Sequence, residues 1–95
     1  MADPKNIPCT YIVRCADDTL YTGWTNGLEE RIEAHNQGIG AKYTRGRGPV
    51  TLVYVEYFSD KIDAMKRETE IKRCSRKTKI KIIALECNQL NTNNR

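Results

Sequence analysis

The chain has little of what builds a metal-stapled or membrane-inserted protein. Among its 95 residues there is one histidine, one tryptophan, one phenylalanine and three prolines. The four cysteines, Cys9, Cys15, Cys74 and Cys87, form no C-x-x-C pair. With a single histidine beside them they do not supply the closely spaced ligands of a structural zinc site. Thiols so placed fit a reduced intracellular protein, in cytoplasm or nucleus. No apolar run approaches the roughly 20 residues that a membrane span needs, and the polar, two-proline stretch 1–8 lacks the character of a signal peptide. Acids are missing from one segment altogether: Lys72, Arg73, Arg76, Lys77, Lys79 and Lys81 follow one another with no Asp or Glu between them.

What is present is a basic, single-domain composition. The formal net charge is +4 and the hydrophobic fraction 39%, enough for one small core. The charge favours a polyanionic partner, nucleic acid ahead of an anionic membrane.

Thr10 to Cys15 is β-branched and aromatic and reads as a strand, Ala16-Asp17-Asp18 as a turn and Thr19 to Trp24 as the return strand. Asn26 or Gly27 can cap a helix with Glu29 and Glu30 in its first turn, and Gly38 can end it. Val50 to Phe58 is a third strand. Ser59 or Asp60 opens a second helix, to about Arg73, and Ser75 a third, to about Cys87. The expected fold is α+β, in the order β-β-α-β-α-α, with a small, mainly antiparallel three-stranded sheet flanked by helices. The domain is expected over 9–87, between a flexible lead at 1–8 and a polar, frayed tail at 88–95.

Chemistry enters through periodicity. A two-residue loop at Asp17-Asp18 would put Tyr11 and Tyr21 on opposite faces of the hairpin. A three-residue loop pairs Cys15 with Thr19 and Tyr11 with Gly23, and puts both phenols on one face. That register needs a left-handed residue near Asp18, which Asp tolerates, and it is the one expected here. In the first helix Leu28, Arg31, Ile32 and His35 share a stripe, with Glu29, Glu30 and Glu33 opposite. Singly, Arg31 is a snorkelling side chain and His35 a satisfied core histidine. Beside two tyrosines they form a phosphate-handling constellation, since a planar, always-charged Arg suits the spreading charge of a phosphoryl transition state.

In the second helix Ala64, Met65, Glu68, Ile71 and Lys72 share a stripe, and Lys66, Arg67, Glu70 and Arg73 lie outside it. Glu68 is the inward acid. It is either a salt-bridge partner of Arg31 or a Mg²⁺ ligand, since magnesium takes one or two carboxylates and keeps several waters. The loop from Gly38 to Pro49 alternates glycine with Lys42, Arg45 and Arg47, which lets backbone approach phosphate. It lacks the ending of a Walker loop. This loop and the 72–81 run are either solvated surface or a nucleic-acid footprint.

Five pieces in order, Tyr11-Ile12-Val13-Arg14-Cys15, Tyr21-Thr22-Gly23, Leu28-Glu29-Glu30-Arg31 with His35-Asn36, Gly40 to Pro49, and Ala64-Met65 with Glu68 and Ile71-Lys72, resemble the GIY-YIG nuclease superfamily. The nearest likeness is to its small single-domain members of the UPF0213 type. The resemblance spans about Thr10 to Leu85. It departs at Cys9-Thr10-Tyr11, where the first motif has Gly-Ile-Tyr, at Thr22, which replaces the isoleucine of the second, and at Asp18, which replaces a turn glycine.

The resemblance implies a Mg²⁺- or Mn²⁺-dependent endonuclease of DNA repair or recombination, hydrolysing phosphodiester bonds of branched or single-stranded DNA. Glu68 would be the metal ligand, Arg31 would hold non-bridging oxygens, and Tyr11, ahead of Tyr21, would take the proton of the attacking water. Nearby cations, Lys42 or Arg31, would have to lower the phenol's pKa. His35 would orient a tyrosine or relay a proton, and Gly23 is structural. Lys42, Arg45, Arg47, Lys72, Arg73, Arg76 and Lys77 would contact nucleic acid. Without the appended targeting domain usual in the family, cleavage would be nonspecific or structure-selective, or a protein partner would supply specificity. The alternative is a nucleic-acid-binding module of the same fold with little turnover.

Overall fold

The computed structural model describes residues 6–85 and 88–92. The elements run β1 (Cys9–Arg14), β2 (Leu20–Thr25), α1 (Leu28–Asn36), β3 (Thr51–Tyr57), α2 (Lys61–Lys72), α3 (Arg76–Ile83) and a short α4 (Gln89–Thr92). The sheet is antiparallel throughout, in the order β2-β1-β3. The expected α+β fold and element order are observed, with α4 added. The expectations for residues 1–5, for 86–87 with Cys87, and for the last part of the tail, 93–95, lie outside the described residues.

β1 occupies the centre because it can be buried on both faces. Its residues from Cys9 to Val13 have essentially no exposed surface. Alternation then divides the core in two. Tyr11, Val13 and Cys15 point to the α1 side, where they meet Val50 and the half-buried Tyr21, Leu28, Ile32 and Leu52. Ile12 points the other way, to Tyr54, Ile71 and Ile82 with Leu20, Val53, Cys74 and Ile83. The Thr10 hydroxyl donates to the Ala64 carbonyl at 2.7 Å, which fixes α2 on that second face.

The hairpin adopts the three-residue register. Cys15 N–H donates to Thr19 O at 2.8 Å, Tyr11 pairs with Gly23, and Asp18 takes the left-handed conformation with φ 69°. Asp17 stabilises the turn by accepting from both the backbone N–H and the hydroxyl of Thr19.

Capping follows sequence rules. Asp60 accepts from Ile62 N–H and Ser75 from Thr78 N–H, and Gly38, at φ 79°, stops α1. At the start of α1 the Gly27 N–H is taken by Thr25 Oγ1 instead, at 3.0 Å.

Three expectations need correction. The inward stripe of α2 is rotated. Met65 is 42% exposed and Lys72 is exposed, while Arg67 is half-buried and reaches Glu56 on β3 at 3.1 Å. A carboxylate waiting on the neighbouring strand draws in a guanidinium that periodicity alone assigns to solvent. α3 ends at Ile83 rather than near Cys87, capped by Ala84. The segment from Asn88 does not read as a frayed tail, for Asn88 is 1% exposed and α4 packs against β3. Asn88 Oδ1 accepts from Val55 N–H at 3.1 Å, and its Nδ2 donates to the carbonyls of Val53 and Ile83, each at 2.9 Å. Val53 is the extra residue where the β1–β3 register shifts. One side-chain amide thus satisfies the backbone that a bulge and a sheet edge leave open.

Candidate active site

On the α1 face the polar side chains join into one hydrogen-bonded chain. Tyr11, with no exposed surface, places its hydroxyl 2.8 Å from His35 Nε2. Arg31 Nε donates to the same phenolic oxygen at 3.5 Å. His35 is 1% exposed, and its Nδ1 lies 2.7 Å from the hydroxyl of Thr44, which is also buried. Thr44 Oγ1 in turn donates to Ala41 O at 3.0 Å.

The network fixes the proton positions. If Nε2 carried the imidazole proton, the phenolic proton of buried Tyr11 would have no acceptor among the described residues, at a cost of about 1–3 kcal/mol. With Nδ1 protonated the short bonds are all made, Nδ1–H to Thr44, Thr44 O–H to Ala41 O, Tyr11 O–H to Nε2 and Arg31 Nε–H to Tyr11, and the one contact given up is the long approach of Ala41 N–H to Nδ1 at 3.4 Å.

Gly23 makes this chain possible. A Cβ at that position would stand 2.6 Å from the Tyr11 hydroxyl oxygen, so the phenol lies directly over β2 backbone. Gly40 does the same for the imidazole, where a Cβ would meet His35 Nδ1 at 2.5 Å. Tyr21 completes the face. Its ring centroid is 6.4 Å from that of Tyr11 and 5.4 Å from that of His35.

Burial sets the resting protonation. It pushes the Tyr11 phenol up to about 12, and the hydrogen bond from Arg31 offsets only part of that. The expected lowering by a neighbouring cation comes from Arg31, but burial outweighs it, and Lys42 is exposed in the loop. Desolvation, with Arg31 second, holds His35 below its ordinary value. The hydrogen bond to Tyr11 raises Arg31. At neutral pH the proton rests on Tyr11, facing an unprotonated imidazole nitrogen.

The structure brings Tyr11, Tyr21, Arg31, His35 and Gly23 together. Glu68 belongs to α2, which packs on the Ile12 face of the sheet, and no hydrogen bond or ion pair among the described residues joins it to the phenols. Its carboxylate is 18% exposed and pairs with Lys72 at 3.3 Å, not with Arg31. Among the described residues no three His, Cys, Asp or Glu side chains cluster as a metal cage. Among the described residues Glu68 offers a cation one carboxylate, paired with the exposed Lys72. That suits a magnesium ion keeping most of its waters and does not suit zinc.

The expected nucleic-acid contacts divide in the same way. Arg47 is engaged with Asp17 and lies 4.5 Å over the ring of Tyr43, Lys72 is held by Glu68, and Arg76 donates to the carbonyl and carboxylate of Asp18. Lys42, Arg45, Arg73 and Lys77 are exposed.

Two participants were not anticipated from the sequence. Thr44 holds the imidazole, and Tyr43 stacks on Tyr21 at 5.7 Å with an interplanar angle of 26°. Their position between Lys42 and Arg45 is the one available signal. An apolar groove of about 620 Å³ between Leu28, Ile32 and Leu52 contains none of this polar chain. Among the described residues no helix is long and apolar enough to cross a membrane.

A three-stranded sheet thus carries one phenol over a glycine with a second beside it, and the helix that follows delivers an Arg and a His to them. The profile of the GIY-YIG catalytic domain matches residues 7–81, and the chain belongs to that family. A UPF0213 protein of Clostridium perfringens is 60% identical over 74 residues, covering 78% of this chain and 80% of its own. A UPF0213 protein of the archaeon Natronomonas pharaonis is 54% identical over 76 residues, covering 80% and 89%. The solution structure of a UPF0213 protein from Bacillus halodurans superposes with a TM-score of 0.56 at 44% identity, covering 83% of this chain and 84% of that one. A second solution structure, of an E. faecalis protein, gives 0.58 at 35% identity, covering 88% of each. The chain is thus a small UPF0213-type member of a nuclease family, whose domain implies a nucleic-acid substrate.

Proposed function

We propose that the protein is a Mg²⁺-dependent endonuclease hydrolysing DNA phosphodiester bonds, nonspecifically or at branched or single-stranded structures. The observation that carries this reading is the buried chain Arg31–Tyr11–His35–Thr44. A fold that needed only packing would fill that space with apolar side chains, since buried polar networks are costly unless every member is satisfied.

Arg31 spends its Nε on Tyr11 and keeps its remaining N–H groups for non-bridging phosphate oxygens. The attacking water gives its proton to the Tyr11 oxygen as the phenolic proton moves to His35 Nε2. This avoids a free phenolate, which a pKa of about 12 forbids at neutral pH. Thr44 keeps the other imidazole nitrogen protonated and Nε2 open. Glu68 would hold the divalent ion, which would supply Lewis-acid chemistry at the scissile phosphate. Tyr21 is the more exposed phenol, and this favours a second assignment in which it meets the water directly.

A rival reading, a nucleic-acid-binding module with little turnover, is favoured by one observation. Glu68 belongs to α2, which packs on the other face of the sheet from Tyr11, and it already has a partner in Lys72. The test is cleavage of branched, duplex and single-stranded DNA with Mg²⁺ or with chelator, beside Glu68→Ala and Arg31→Ala. Metal-dependent cutting lost in both variants supports the nuclease. Cutting by the wild type no better than by Glu68→Ala leaves the binding module.

A further inference from the structure

Several cations of this basic molecule are already paired with carboxylates: the half-buried Arg67 with Glu56 and Glu70, and, nearer solvent, Lys72 with Glu68, Arg76 with Asp18 and Arg47 with Asp17. Lys79 differs. It is half-buried on α3, and among the described residues no carboxylate lies within ion-pair distance of it. Desolvation, with the like charge of Lys72 adding to it, holds its ammonium below the usual lysine range. A desolvated cation without a counter-ion costs stability that a bound anion would return.

Lys79 lines a cleft of about 220 Å³ whose other walls are Thr19, Leu20, Tyr43 and Arg76. This volume is below the roughly 300–1,000 Å³ of pockets that enclose drug-sized ligands. It suits one phosphate with its sugar. The wall formed by Tyr43 is also the ring stacked on Tyr21, so the cleft opens one aromatic ring away from the candidate active site. Arg76 is largely neutralised by Asp18, which leaves Lys79 as the uncompensated charge.

We infer that this cleft is a backbone subsite, in which Lys79 binds one phosphodiester of a single nucleic-acid strand flanking the bond held at Arg31, with Tyr43 as its aromatic wall. The inference rests on the nucleic-acid reading of the site and adds a contact outside the reacting group. It predicts a residue that contributes to binding and not to the chemical step.

The test is fluorescence anisotropy with a labelled oligothymidylate across a salt series, for wild type, Lys79→Gln, Lys79→Arg and the exposed control Lys81→Gln. Loss of one single-strand phosphate contact lowers the slope of log affinity against log salt by about 0.7. Lys79→Gln should show that drop, while Lys79→Arg and Lys81→Gln stay near wild type. Thermal melts confirm that the variants are folded.

If the wild type binds with a salt-dependent affinity and Lys79→Gln has the same slope, the subsite is wrong and the nuclease reading is untouched. If the wild type binds no nucleic acid, both fail together. A backbone-amide titration with inorganic phosphate separates the ligand sources. Saturable shifts at Thr19 and Lys79 with the oligonucleotide but not with equimolar phosphate support a strand subsite. Equal shifts with phosphate alone would make the cleft a free-phosphate site and overturn the inference.

Discussion

Thr44 and His35 carry the most informative chemistry at the scale of single residues. Thr44 accepts from Nδ1–H, and through that bond it keeps Nε2 open for the Tyr11 proton. Thr44→Val removes the acceptor and strands a buried donor. It is expected to cost about 1–3 kcal/mol in denaturant unfolding. Long-range ¹⁵N–¹H spectra should show His35 protonated on Nδ1 in the wild type and as mixed tautomers in the variant. His35 also makes stability depend on pH. Its folded pKa lies below the ordinary 6.5, so the unfolded chain binds the proton first as pH falls. From this group stability is constant above about 6.5 and declines below it towards the folded pKa. His35→Gln should flatten that decline in melts recorded from pH 7.5 to 5. An unchanged pH profile would mean that His35 is not buried neutral.

Tyr11, Arg31 and His35 were legible in the sequence because local rules place them: strand alternation for the first, helical period for the others. Thr44 was not. Its partner lies nine residues back, and only the folding of the Gly38–Pro49 loop onto α1 brings the two together. Glu68 was half-legible. Periodicity found it inward of solvent but not which face of the sheet α2 would cover, and its partner proved to be Lys72 one turn along the same helix.

At the scale of elements, the β1–β2 hairpin decides whether a site exists. The left-handed Asp18 sets the register, the register puts Gly23 opposite Tyr11, and the missing side chain makes room for the phenol. Gly23→Ala would drive a methyl into the Tyr11 hydroxyl and ring. Overpacking of this kind costs about 1–3 kcal/mol. Cleavage should fall more steeply than stability, because the displaced oxygen is the one that meets His35. Single-turnover rates under conditions where the variant stays folded would separate the two effects. Asp18→Gly tests the same hairpin in the opposite sense. A residue held at φ 69° is replaced by one without strain there, which removes a left-handed penalty of about 1 kcal/mol. It also removes the carboxylate acceptor of Arg76 and leaves the backbone carbonyl of residue 18 as its one remaining contact there. α2 shows why stripes predict imperfectly. Glu56 on β3 draws Arg67 in at 3.1 Å, and Met65 is left in solvent. Such a choice is made by an opposing strand and is invisible in the helix's own periodicity.

At the scale of the whole molecule, a three-stranded sheet has two open edges, and the two are treated differently. Among the described residues β2 pairs with β1 alone, and its other edge runs beside Tyr21 and the Lys79 cleft, where a substrate would lie. β3 is closed by the chain's own C-terminal segment, through the Asn88 amide on Val53 and Val55 and the Gln89 side chain on Tyr57 N–H. A polar, Asn-rich stretch reads as tail because composition reports affinity for water. The same amide groups are equally suited to sheet backbone when an unpaired edge is near. Asn88→Ala tests whether this closure matters. It leaves the Val55 N–H and two carbonyls without their partner, at an expected total of about 2–4 kcal/mol. For a domain of this size that lowers Tm by roughly 10–25 °C. An uncovered β3 edge also becomes a template for strand pairing, so the variant should self-associate with rising concentration in sedimentation while the wild type does not change. A variant with unaltered Tm and unaltered sedimentation would show that β3 does not need its amide cover, and that the edge is protected by its twist and its flanking charges instead.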